Sequence, residues 1–229
     1  MVVLILIAFL LMFFIVDAIV LIRRKAKSKM PILVANSSRS FNEASISAPK
    51  GLYFDKTHTW AFMEKNGVVK IGIDDFLLHI TGKLSRVKMK SPGDKIYKGE
   101  AALSIVRNGK QLTINSPITG TIKLQNNQLL EDCSILNAAP YSEGWVYMVE
   151  PSNWLREIQF LIMSEKYKEW LKNEFSRLKD FLVTIQTKNN TTLIPIILQD
   201  GGELKDNVIE DLEPEVWEEF QAKFINTSK

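Results

Sequence analysis

Residues 1–22 carry a single polar side chain, Asp17, and this apolar run limits the chain more than any other feature. About 20 such residues span a bilayer as a helix, and a helix is required because no water is present to satisfy the backbone. A cleaved signal peptide has its positive charges before the apolar run and a small-residue site after it. Here Arg23, Arg24, Lys25, Lys27 and Lys29 follow the run and no A-x-A site does, so an uncleaved anchor is expected. The positive-inside rule keeps that cluster, with residues 30–229, on the cytoplasmic side of the cytoplasmic membrane, as a single-pass protein. Asp17, Arg23, Arg24 and Lys25 are the expected membrane contacts. Asp17 either snorkels to the interface or hydrogen-bonds a second transmembrane subunit.

The remainder reads as a folded protein. Charged residues make up 24% of the chain and hydrophobic ones 46%, which argues against disorder. A net charge of +3 gives no case for a nucleic-acid partner. The basic stretch from Lys83 to Lys98 reads as a solvated sheet face, with a partner- or lipid-facing surface as the other reading.

Residues 30–50 are rich in Ser and Pro and read as a linker. From Gly51 to Val149, short strands alternate with turn signals. Asn66-Gly67 joins Trp60–Glu64 to Val68–Ile73 in a hairpin. Asp74–Ile80 reads as a short helix capped by Asp74 or Asp75, with Gly82 past its end. Pro92-Gly93-Asp94, Asn108-Gly109 and Thr119-Gly120 mark further turns. From Asn153, its expected cap, the apolar spacing becomes helical through Trp154, Ile158, Leu161 and Ile162, then Trp170, Leu171, Phe175, Leu178 and Leu182. Leu193–Leu198 reads as an edge strand and Gly201-Gly202 as a turn. A last helix starts near Pro214 and buries Val216, Trp217, Phe220 and Phe224.

An ordered series of segments between Tyr53 and Trp170 resembles the H protein of the glycine cleavage system, a relative of lipoyl domains. Lys56-Thr57-His58-Thr59-Trp60 matches that family's opening strand, with Thr59 where the family has an acid. Val69–Phe76 matches the strand leading into its short helix. Pro92–Glu100 resembles the turn shared by lipoyl and biotinyl domains. Ser116-Pro117-Ile118-Thr119-Gly120 matches the turn after the attachment hairpin, Pro140–Trp145 the late loop, and Met163–Tyr167 the C-terminal helix.

The resemblance implies a mainly β fold with α: a lipoyl- or H-protein-like β-sandwich of two small antiparallel sheets. With the other segments it gives a transmembrane anchor and basic flank at 1–29, a linker at 30–50, the H-protein-like domain at 51–171, and a C-terminal helical extension at 172–229. It also implies a lysine at an exposed hairpin tip carrying lipoate, the arm that ferries an aminomethyl group.

Here the sequence departs from the family. The attachment motif Glu-Ser-Val-Lys-Ala lies between a Gly-Glu turn and a Ser-Pro turn, present as Gly99-Glu100 and Ser116-Pro117. The acid then falls on Val106, the serine on Arg107, the valine on Asn108 and the lysine on Gly109. Glycine cannot form a lipoyl amide, while Asn-Gly favours a type I′ turn, whose two central residues need positive φ. The hairpin is kept and its attachment residue dropped. The expected cofactor is therefore none, with lipoate on the neighbouring Lys110 as the alternative.

Signals for an enzyme are weak, with no phosphate loop, G-x-S-x-G or metal-ligand spacing. His58, beside Trp60 in an expected strand, reads as a structural hydrogen-bonding residue, and His79 as a cap for its helix's carbonyls. Glu131 and Asp132 raise the thiol pKa of Cys133, the only cysteine, and argue against a nucleophile. The Asn36 and Asn190 sequons matter only on a secretory route. Trp170, Phe175, Phe181, Trp217, Phe220 and Phe224 either pack within the chain or form a docking surface for another subunit. The expected function is a membrane-anchored, non-lipoylated scaffold or accessory subunit of a membrane complex, with the bilayer and other subunits as partners through Asp17 and the C-terminal aromatic helices. A carrier lipoylated at Lys110 and an unrecognised enzyme are the alternatives.

Overall fold

The computed structural model describes residues 40–188 and 204–226, which fall in one compact unit. The expected transmembrane helix with Asp17, Arg23, Arg24 and Lys25, both sequons, the Leu193–Leu198 run and Gly201-Gly202 lie outside these residues. Among the described residues no helix is long and apolar enough to cross a membrane.

In chain order the elements are β1 (Ser40–Phe41), a 3-10 turn (Glu43–Ser45), β2 (Tyr53–Asp55), β3 (Thr59–Met63), β4 (Val69–Ile73), α1 (Asp75–Thr81) and β5 (Arg86–Met89). Then come β6 (Lys95–Ile96), β7 (Ala101–Arg107), β8 (Lys110–Asn115), β9 (Gly120–Gln125), α2 (Gln128–Glu131), α3 (Ser134–Ala138) and β10 (Trp145–Pro151). The chain continues with α4 (Trp154–Glu157), a 3-10 turn (Ile158–Phe160), β11 (Ile162–Met163), α5 (Ser164–Lys188), β12 (Leu204–Lys205) and α6 (Pro214–Phe220), which runs into a π-helical turn (Gln221–Ile225).

The two antiparallel sheets are unequal. One has seven strands in the order β11-β2-β3-β4-β10-β9-β6, the other three in the order β5-β7-β8. Tyr147 on β10 ties them together: its hydroxyl donates to Ala102 O on β7 at 3.0 Å and accepts from Lys90 N at 2.6 Å. A third, two-stranded ribbon pairs β1 with β12. Residues 40–50, expected as linker, instead belong to the folded unit. Phe41 and Ile46 are core residues, because Phe41 inserts between Phe76 and Phe175.

The helical pattern from Asn153 is broken. Asn153 makes no side-chain cap, and Ile162-Met163 leave the helix to extend the large sheet by pairing with Phe54 and Tyr53. α5 then runs through the expected boundary at 171/172 without interruption. Its buried stripe is Tyr167, Leu171, Phe175, Leu178, Leu182 and Ile185, the spacing of one helix face. Tyr167 stacks on Phe54 with ring centroids 3.9 Å apart. α6 begins with Pro214 at a first-turn position, where a missing N–H costs nothing, and buries Val216, Trp217 and Phe220.

Gly72 shows how tightly the large sheet is fitted. It pairs with Trp60 across β3 and β4, and a Cβ there would lie 2.6 Å from the indole. Trp60 is itself fully buried, so the ring has nowhere to move. Gly72→Ala is expected to lower stability by about 1–3 kcal/mol through overpacking, read as a fall in the urea midpoint at unchanged m-value.

Candidate functional site

β7 and β8 pair in register down to Arg107 and Lys110, which close the hairpin. The two residues between them have φ of 46° (Asn108) and 82° (Gly109), the left-handed pair that a type I′ turn requires. Both are exposed, and a Cβ on Gly109 would meet nothing within 4 Å. The tip thus points into open space with no side chain on its second residue.

Lys110 is not displayed. Its Nζ donates to Glu210 O at 2.5 Å and to Leu212 O at 2.9 Å, and lies 5.3 Å from the Trp217 ring centroid, a cation–π contact. Burial pushes its pKa down; the Arg107 charge adds to this, while Asp211 and Glu213 oppose it. Acylation would turn this ammonium into a neutral amide with one N–H, leaving a half-buried carbonyl without its donor and removing the charge over the indole. A lipoyl amide on Lys110 does not fit this arrangement.

The groups holding Lys110 belong to residues 204–226, which close over the hairpin. The Gln221 side-chain amide accepts from Thr113 N at 2.7 Å and donates to Thr113 O at 2.9 Å, so it pairs with the free edge of β8 as another strand would. Asn115 donates to Ile225 O at 3.3 Å, and Arg107 pairs with Glu210 while also donating to Lys83 O. The same segment finishes α1. Asn207 N donates to His79 O at 2.8 Å and Ile209 N to Ile80 O at 3.2 Å. Gly82, at φ 69°, lets Asn207 and Glu210 approach; a Cβ there would lie 2.6 Å from Glu210 Oε2. His79 therefore does not cap its own helix. Its Nδ1 contacts Asp206 at 2.7 Å, because the extension's backbone amides already serve those carbonyls.

Of the six aromatic residues expected as a possible docking surface, five pack inside the chain, while Trp170 is half-buried beside His58 and Tyr167. Phe175, Phe181, Trp217, Phe220 and Phe224 are all buried, and Phe181, Phe220 and Phe224 pack on one another. The large apolar side chains left most exposed are instead Leu155 (81%) and Phe160 (65%). Near them a surface cavity of about 510 Å³ is lined by Phe160, Arg156, Lys56 and the Lys98–Asp55 ion pair.

A second cluster lies under α5. His58 occupies not a strand but the turn between β2 and β3, at φ 64° and wholly buried. Its Nδ1 is 3.0 Å from Asp74 Oδ2, and its Nε2 is 3.6 Å from Glu174 Oε1, an ion-pair separation beyond good hydrogen-bond length. Tyr167 donates to Asp74 Oδ2 at 2.6 Å, while Asp74 Oδ1 accepts from Leu77 N at 2.9 Å and caps α1. Arg177 neutralises Glu174 at 2.6 Å and donates to Lys223 O at 2.8 Å. Burial alone would lower the His58 pKa, but the Asp74 carboxylate, by charge and hydrogen bond, and then Glu174 outweigh it and push it up to about 9. Glu174 was hidden in the sequence within an apolar stripe, three residues after Leu171 and four before Leu178. A charge at such a position is the signal that would have found it.

Cys133 is half-buried and donates to Leu129 O at 3.3 Å. Its thiol pKa is raised first by burial, with Asp132 adding to it, so burial outranks the neighbouring charge. Among the described residues no three His, Cys, Asp or Glu side chains are grouped to hold a metal ion.

The family profile described as glycine cleavage H-protein matches residues 52–174. The glycine cleavage system H protein of Methylococcus capsulatus is 32% identical over 120 residues, covering 52% of this chain and 93% of that protein. The glycine cleavage system H protein 2 of Aquifex aeolicus is 29% identical over 131 residues, covering 55% and 81%. The crystal structure of the H protein from Mycobacterium marinum aligns with a TM-score of 0.48 at 20% identity, covering 54% of this chain and 98% of that one.

The His58 cluster makes stability depend on pH. The folded pKa of about 9 lies above the unfolded value of 6.5. The contribution is thus fully present below pH 6.5 and lost as pH rises through about 9. A shift of this size corresponds to on the order of 3 kcal/mol. Urea unfolding between pH 6 and 10 should show this decline, and His58→Gln should flatten it. An equal decline in both proteins would remove His58 as the cause.

Proposed function

The chain belongs to the glycine cleavage H-protein family, and from that premise we propose that it is a non-lipoylated, non-catalytic scaffold. In this reading it is an accessory subunit of a complex in the cytoplasmic membrane. The observation that carries the reading is the hairpin tip: Gly109 stands at the attachment position with no side chain to acylate. The neighbouring amine, on Lys110, is engaged by two carbonyls and an indole. The family's lipoyl group is therefore not assigned to this chain. What the chain supplies is a rigid β-sandwich whose C-terminal segment adds packing where the family has a mobile arm.

Membrane attachment is supported by the apolar residues 1–22 followed by the basic cluster from Arg23 to Lys29, and the positive-inside rule favours a folded unit on the cytoplasmic side. Asp17 within that run is suited to a hydrogen bond with a second transmembrane helix, the kind of contact an accessory subunit makes. No role in catalysis is assigned to either histidine. His58 is sealed in an ion-pair network and His79 is held by Asp206.

The test is intact and peptide mass spectrometry on the protein purified in mild detergent from its own membranes, with co-purifying proteins identified in the same run. The expected result is an unmodified peptide containing Asn108, Gly109 and Lys110 together with stoichiometric partner subunits. A lipoyl mass on Lys110 would overturn the reading and make the protein a membrane-bound carrier.

A further inference from the structure

An edge strand offers unpaired N–H and C=O groups to any passing strand, and proteins cover or blunt such edges. In the three-stranded sheet β8 is an edge strand next to the tip. Residues 204–226 cover it in a particular way. The Gln221 amide makes both hydrogen bonds with Thr113 that a neighbouring strand would make. Glu210 and Leu212 turn their carbonyls onto Lys110, and Trp217, held by its own bond to Ile209 O at 2.9 Å, closes the remaining side.

We propose that residues 204–226 are a cis cap that withholds the attachment hairpin, sequestering the Lys110 amine from acyl donors and the β8 edge from strand-adding partners. This deepens the non-lipoylated reading and rests on it. The cap matters because Lys110 stands directly beside the hairpin tip. In acylation a free amine attacks the carbonyl carbon of an activated ester. A C–N bond forms, the C–O bond breaks with its electron pair leaving on the alcohol component, and the nitrogen loses a proton. Held as an ammonium by the two carbonyls and the indole, the nitrogen has no lone pair to offer.

The proposal is tested by brief labelling of the full chain with an N-hydroxysuccinimide acetate ester, quantified per lysine by peptide mass spectrometry. Lys95, exposed and without an ion-pair or hydrogen-bond partner among the described residues, serves as the internal reference. Lys110 is expected to react at least about tenfold more slowly than Lys95 in the native chain. In Trp217→Ala and in the milder, half-buried Gln221→Ala, Lys110 should gain severalfold while Lys95 stays constant. Hydrogen exchange at Thr113 N reports whether the cap has opened in Trp217→Ala, which keeps the Gln221 acceptor. Lys110 reacting as fast as Lys95 in the native chain would overturn the proposal. So would Lys110 remaining protected in Trp217→Ala once its Thr113 amide has become free. Neither result bears on whether native material carries lipoate, so the two readings fail separately.

Discussion

Asp74 is the residue on which the rest of the arrangement depends. One carboxylate oxygen caps α1 at Leu77, and the other receives both the His58 ring and the Tyr167 hydroxyl. A buried carboxylate is tolerable only if its charge is matched and its lone pairs are filled, and here both conditions are met by groups from three separate parts of the chain. His58 comes from a left-handed turn, Leu77 N from the first turn of α1 and Tyr167 from the start of α5, while Glu174, two turns further on, faces the other nitrogen of the His58 ring. Arg177 balances Glu174, so the cluster holds two acids and two bases. Because Arg177 also donates to Lys223 O and lies over Phe224, the same charge network reaches from the centre of the β-sandwich to the last described turn.

That link explains why the C-terminal segment is part of the domain and not an appendage. β12 pairs with β1, residues 207–209 finish α1, and α6 with its π-turn covers β8. Every one of these contacts supplies a partner to a backbone group that would otherwise be left at an edge or a helix end. The β7–β8 hairpin is a packing surface for the C-terminal segment.

Much of this was legible in the sequence where short-range geometry decides. Asn108-Gly109 specified a left-handed pair, Asp74-Asp75 a helix cap that falls to Asp74, Gly82 the end of that helix, and Pro214 the start of the last one. What escaped was decided by long-range partners. Phe41 lies in a Ser-rich stretch that reads as linker, but it is drawn into the core by Phe76 and Phe175. Ile162 and Met163 fit a helical period, yet the open edge of β2 takes them as a strand. His79 was read against its own helix, whereas its partner, Asp206, is remote in sequence and no periodicity points to it. The lysine beside the turn was visible, but its two carbonyl partners could not be, since backbone groups leave no trace in composition.

The β7–β8 hairpin has a physical basis of its own. A type I′ turn fixes the register of its strands, and a slip of one residue would exchange the two faces of β7 and β8. Leu103, Ile105, Leu112 and Ile114 would then leave the core. The turn is thus required by packing whether or not it presents a cofactor. Any other side chain at Gly109 would stand at φ 82°, a conformation that L residues rarely adopt. With glycine there, the backbone geometry of the turn itself favours keeping it.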